Sequence, residues 1–129
     1  MSTSEPATDF DQWITEEFAR TGAFTALAVL VEISETQVTP LASTYFNVIG
    51  DETDWGEITV MFAGAGRSWD GASFYPVTGA DGGPVDNPTA RLKLREIEAR
   101  LDDDRLVLNE GHFFDKLGRR MQVEEMPLQ

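Results

Sequence analysis

The stretch Phe24-Thr-Ala-Leu-Ala-Val-Leu-Val-Glu-Ile33 decides the fold. Leu27, Val29, Val31 and Ile33 share one parity, and Phe24, Ala26, Ala28 and Leu30 the other. Both sets are apolar, the pattern of a strand covered above and below. The β-branched valines and isoleucine suit a pleated surface better than a helix. Large aliphatics on one side suit a main core, and alanines on the other let a helix approach closely. The run of ten residues is well short of the roughly 20 that a membrane-spanning helix needs. It is read as a central strand.

Working outward, residues 9–21 carry Phe10, Trp13, Ile14 and Phe18 on one stripe at helical spacing. Thr8 or Asp9 caps this helix and Gly22 ends it. The stripe belongs on the alanine face of the central strand. Beyond the polar connection 34–40, Leu41 to Ile49 reads as a second strand, antiparallel to the first because the link is short. Residues 50–56 form an acidic turn. Glu57 to Ala63 then alternates, with Ile58, Val60 and Phe62 on one side, which predicts a third strand. Ala72 to Val77 is a further short strand, confined to an edge or limited in length by Pro76.

Asn87-Pro88 is a helix start signal, and 89–101 consists mostly of helix formers with Ala90, Leu94, Ile97 and Leu101 on a stripe. The alternation Arg91-Leu-Lys-Leu-Arg95 leaves a strand as the alternative there. Asp102-Asp-Asp104 places three like charges where they oppose a helix C-terminus, so the helix is expected to stop before them. Arg105–Phe114 and Arg119–Glu125 then read as a hairpin around a turn at Asp115–Gly118. The sum is an α+β chain. It has a mainly antiparallel sheet of five or six strands, with the helices 9–21 and 89–101 on one face. If 89–101 is a strand, the fold becomes a mostly β sandwich or barrel with one N-terminal helix. Residues 1–8 are expected to be a mobile lead-in, 9–126 a single globular domain and 127–129 a tail.

The chain has 129 residues, one domain's worth, and 41% hydrophobic content. It contains no cysteine, which excludes disulfides and thiolate metal sites. With no basic–apolar leader at its start, a cytoplasmic location is expected. The net charge is −13 and lopsided. Residues 1–66 hold eleven acids and one base, and residues 67–129 twelve acids and nine bases. Such a surface repels phosphate and anionic lipid, so neither nucleic acid nor membrane is an expected partner, whereas a basic protein is.

No motif for catalysis, cofactor or metal is complete. His112, the single histidine, and Asp70 are the weak candidates for proton transfer. Glu110 with His112 supplies too few ligands for zinc. In the loop 64–75, Arg67 is placed to clamp an anion and Trp69 and Tyr75 to stack on a ligand. The loop lacks both the P-loop ending and the third glycine of a dinucleotide fingerprint. Asp51, Glu52, Asp54 and Glu57 lack the spacing of a calcium loop and read instead as an acidic patch for a partner. No cofactor or metal is expected. The leading reading is a non-enzymatic protein-binding or regulatory module that uses its acidic N-terminal half. The alternative is an anionic small-molecule site or enzyme in the 64–75 loop near the C-terminal hairpin.

Overall fold

A computed structural model describes residues 7–50, 52–64, 66 and 68–123. The elements are α1 (Asp9–Thr21), β1 (Phe24–Ile33), β2 (Val38–Val48), α2 (Trp55–Ala63), β3 (Gly71–Val77), α3 (Asn87–Asp103), a 3-10 helix (Arg105–Glu110) and β4 (His112–Asp115). The expected lead-in lies outside the described residues up to position 6, and so does the tail. No helix among the described residues is long and apolar enough to cross a membrane.

The four strands form one antiparallel sheet in the order β2-β1-β3-β4. β1 is inner and buried from Phe24 to Val31, as its two apolar faces require. Its even positions pair with Val48, Phe46, Thr44 and Ala42 of β2. On the other flank Ala26, Ala28 and Leu30 pair with Pro76, Phe74 and Ala72 of β3. Pro76 does not put β3 at an edge. β4 pairs only with Gly71 to Phe74, so beyond that point the outer flank of β3 accommodates a residue without an N–H.

Each face of the sheet carries its own core. On the alanine face, Phe10, Trp13 and Ile14 of α1 and Trp55, Ile58 and Phe62 of α2 pack over Ala26, Ala28 and Ala72. Small residues on the sheet let large rings settle between them. Phe74 is the hub, with ring centres of Phe10, Trp13, Phe62 and Phe114 at 5.0, 5.9, 6.0 and 5.9 Å. On the other face Leu27, Val29 and Val31 meet Ala90, Leu94 and Leu101 of α3 and Val107 and Leu108 of the 3-10 helix. The two long helices therefore lie on opposite faces, not on one. A strand apolar on both sides needs a cover on both sides.

Further sequence expectations fail. Residues 57–63 are helical. Trp55, Ile58 and Phe62 are buried at i, i+3 and i+7, while Val60 is 75% exposed. Asp54 caps the helix by accepting the Glu57 amide at 2.9 Å. Residues 105–114 are not one strand, because the Asp104 carboxylate accepts the Leu106 amide at 2.9 Å and starts the 3-10 helix instead. The C-terminal turn is where the sequence puts it, with Gly118 at φ +76° and its amide on Asp115 O at 3.0 Å. Among the described residues its second arm forms no strand, making a bridge between Phe114 and Arg120 and a backbone bond from Met121 N to Phe113 O at 2.9 Å; Glu124 and Glu125 lie outside the described residues. Among the described residues the sheet accordingly has four strands, not five or six, and stays open, neither sandwich nor barrel.

α3 also runs through Asp102 and Asp103. Arg105 makes this tolerable by reaching back to the Leu101 carbonyl. A basic side chain there satisfies an end carbonyl and offsets the carboxylates.

Candidate functional site

Of the residues singled out in the 64–75 loop, Trp69 and Tyr75 lie on opposite faces of the sheet. Arg67 lies outside the described residues. Trp69 is buried on the alanine face, 6.0 Å from Trp55 and 5.4 Å from Phe62 between ring centres. Tyr75 belongs to the opposite core, where its hydroxyl donates to Val107 O at 3.0 Å and burial pushes its pKa up. Asp70 has a structural role. Its carboxylate accepts the Ile33 amide at 2.7 Å, its own amide donates to Val31 O at 2.8 Å, and Lys116 stands 3.8 Å away. It thereby ties the end of β1 to the start of β3.

His112 opens β4 opposite Phe74, whereas Asp70 adjoins the far end of that pairing, where Gly71 meets Asp115. The imidazole stacks on Trp13, with centres 4.6 Å apart and planes at 23°. Its Nδ1 is 3.2 Å from Arg120 Nη1. A guanidinium only donates, so Nδ1 accepts and the proton sits on Nε2. Burial first, then the charge of Arg120, hold the His112 pKa below its ordinary value; Glu17 opposes this and Arg20 adds to it. Glu17 is only 7% exposed and pairs with Arg20. Trp13 Nε1 is buried without a hydrogen-bond partner among the described residues.

In the acidic turn, Asp51 lies outside the described residues. The Asp54 carboxylate is engaged as the α2 cap, and Glu52 and Glu57 are exposed. Among the described residues no cluster of three or more His, Asp or Glu could hold a metal ion.

A concave surface forms where sequence reading placed none. The β1–β2 hairpin, the end of α3 with the 3-10 helix, and the segment 121–123 enclose a groove of about 620 Å³. Ile33, Val38, Leu106, Phe113, Met121 and Val123 supply its apolar lining, and Glu35, Asp103 and Asp104 bring carboxylates to it. Arg105, the one base in the lining among the described residues, donates from Nε to Val38 O at 2.9 Å and also to Leu101 O. Its guanidinium thus stitches two walls together. Asn109 holds the third wall by a two-bond clasp, Nδ2 to Val123 O at 2.7 Å and Val123 N to Oδ1 at 2.8 Å. The only sequence signal for this groove was the run Asp102–Asp104, which reads equally well as a helix stop. Comparison of the chain with family models, with curated proteins and with solved structures finds no match.

Proposed function

We propose that this chain is a protein-binding module that receives a basic, partly apolar segment of another protein in the groove beside the β1–β2 hairpin. The observation that carries the reading is an apolar lining joined by the Glu35 and Asp103 carboxylates, with the Arg105 guanidinium already bound to carbonyls. Apolar contact supplies affinity, and unneutralised carboxylates select for Lys or Arg in the partner. The net charge of −13 favours the encounter with a basic partner at a distance. Within the acidic turn, Glu52 and Glu57 add to that attraction while Asp54 is occupied by its helix.

The test is titration of the ¹⁵N-labelled chain with a short peptide alternating lysine and leucine. Amide shifts should concentrate at Ile33–Val38 and Asp103–Leu106. Affinity should fall several-fold between about 0.05 and 0.5 M salt, as screening of partly exposed charges demands. Glu35→Gln combined with Asp103→Asn should weaken binding at low salt and flatten that dependence. Shifts scattered over the surface, or affinity indifferent to salt and to these substitutions, would overturn the reading.

A further inference from the structure

The two edges of the sheet are finished differently. β4 is four residues long, carries His112 and Asp115, and is crossed by the segment that bears Arg119 and Arg120. Charge, shortness and cover are how proteins stop an edge from pairing with another chain. β2 forms the other edge and is eleven residues long. Among the described residues nothing pairs with its outer side. Its first third is guarded by Pro40 and by the irregularity at Leu30/Val31, where pairing passes from Ala42 to Pro40 and leaves Leu41 unmatched. From Ser43 to Val48 it has neither proline nor irregularity.

That segment also lacks charge. Val38 to Val48 contains no Asp, Glu, Lys or Arg, in a chain with 33 of them among its 129 residues. Tyr45 and Phe46 point to opposite faces and both are half-buried, each packed on the margin of its own core. Alternate backbone N–H and C=O groups of such a strand point outward and are complementary to an extended chain.

We infer that Ser43–Val48 is a self-pairing edge, through which two copies of this chain join antiparallel about a twofold axis into one continuous eight-stranded sheet. A second copy fits better than a foreign strand for a reason of charge. An isologous antiparallel contact lays the strand against its own reverse, residue i on j and j on i, and β2 brings no charged side chain of its own into that ladder, so a −13 chain can form it without pairing carboxylates across it. A foreign strand would find no charged group on β2 to select it. The pairing brings Phe46 and Tyr45 of each copy against the other's strand and shields their exposed margins. Six residues a side make a small contact of the weak class below about 1,200 Å². The remaining charge of the two copies, including Glu98 of α3, which accepts from the Ser43 hydroxyl at the start of this segment, repels, so the dimer strengthens with salt. This is opposite in sign to the basic-partner binding proposed above, and the two readings can fail separately.

Sedimentation equilibrium of the full chain over about 10–500 µM, at low and at 0.5 M salt, should show the mass rising from 14.3 kDa towards twice that value, more readily at high salt. Hydrogen exchange in the unsubstituted protein should slow at alternate amides of Ser43–Val48 as concentration rises. Thr44→Lys, which places an ammonium on the free strand, should hold the chain monomeric without altering its far-ultraviolet circular dichroism. A monomer across the whole range at 0.5 M salt overturns the inference. So does exchange at Ser43–Val48 that ignores concentration, whether or not the lysine variant folds.

Discussion

Replacing Phe74 by alanine tests the double-layered architecture at its centre. The side chain is fully buried and lies within 6.3 Å, centre to centre, of Phe10, Trp13, Phe46, Trp55, Phe62 and Phe114. A Phe→Ala change in a core costs about 3–5 kcal/mol, and the spread reflects how far the site can collapse. Collapse is poor here. The residue sits on an inner strand paired to Ala28 on one side and His112 on the other, so its backbone cannot move inward. The six rings are held by two strands and two helices. The upper half of the range follows, about 4–5 kcal/mol, a large share of the roughly 5–15 kcal/mol that holds a domain together. Phe74→Leu keeps most of the volume and should cost about 1.5 kcal/mol or less. Phe46→Ala, on the edge strand and only half-buried, should cost clearly less than Phe74→Ala. Urea unfolding followed by far-ultraviolet circular dichroism gives all three. If Phe74→Ala costs under about 2 kcal/mol, or no more than Phe46→Ala, the hub assignment is wrong.

Two further outcomes follow from close contacts and from burial. A Cβ added at Gly111 would lie 2.7 Å from both Phe74 O and Ser73 Oγ and 2.8 Å from Tyr75 Cε2. Backbone in a paired strand cannot retreat, so Gly111→Ala should lower stability by about 1–3 kcal/mol, and an unchanged urea midpoint would contradict this. His112 is held below its ordinary pKa of 6.5 by burial and by Arg120. The unfolded chain therefore binds this proton more readily. The stabilisation is complete above pH 6.5 and is lost as pH falls through the folded value. Asp86 and Asp115 are also lowered, but from 3.8, so their contribution disappears only in stronger acid. The unfolding temperature should fall as pH drops through about 6.5 in the native chain and change less there in His112→Gln.

What the sequence disclosed, it disclosed through periodicity backed by a local hydrogen bond. α1 is legible because the Thr8 hydroxyl accepts the Asp11 amide and the Asp11 carboxylate accepts the Thr8 amide, both at 3.0 Å, just ahead of an apolar stripe. β1 is legible because a run apolar on both parities is also short and β-branched, which favours a strand over the competing buried helix. α2 deceived because Ile58, Val60 and Phe62 alternate, and the β-branched residues among them favour strand. The competing signal was Trp55 at i with Ile58 and Phe62 at i+3 and i+7, behind a capping Asp54. It goes unnoticed when Trp55 is assigned to the turn. Packing of that face against Trp69 and Phe74 overrides the intrinsic preference. The groove was illegible for a different reason. Its walls come from residues 33–38, 103–106, 113 and 121–123, brought together by a sheet and a helix on its second face. No local pattern records that meeting.

The acidic composition also separates once partners are known. Asp9, Asp11, Asp54, Asp70, Asp86, Asp104 and Asp115 each accept at least one backbone amide through their carboxylates. No glutamate does so among the described residues; Glu17, Glu98 and Glu110 bond to side chains instead. The shorter side chain reaches its own turn and caps it. Much of the aspartate is therefore architecture, and the glutamates carry more of the charge left for a partner.

Asp11 is the sharpest case. Oδ2 accepts Thr8 N at 3.0 Å and Oδ1 accepts Trp55 N at 2.8 Å, so one carboxylate holds the starts of two helices distant in sequence. Hydrogen bonds to a charged group are worth about 1.5–3 kcal/mol, and both amides lose their acceptor together. Asp11→Ala should then cost about 2–3 kcal/mol, whereas Glu16→Ala, exposed on the same helix, should stay within about 0.5 kcal/mol. Asp11→Glu should recover little, since its longer stem misplaces both oxygens. Equal losses at positions 11 and 16 in urea would show that the charge is interchangeable and that the division between structural aspartate and available glutamate is not real.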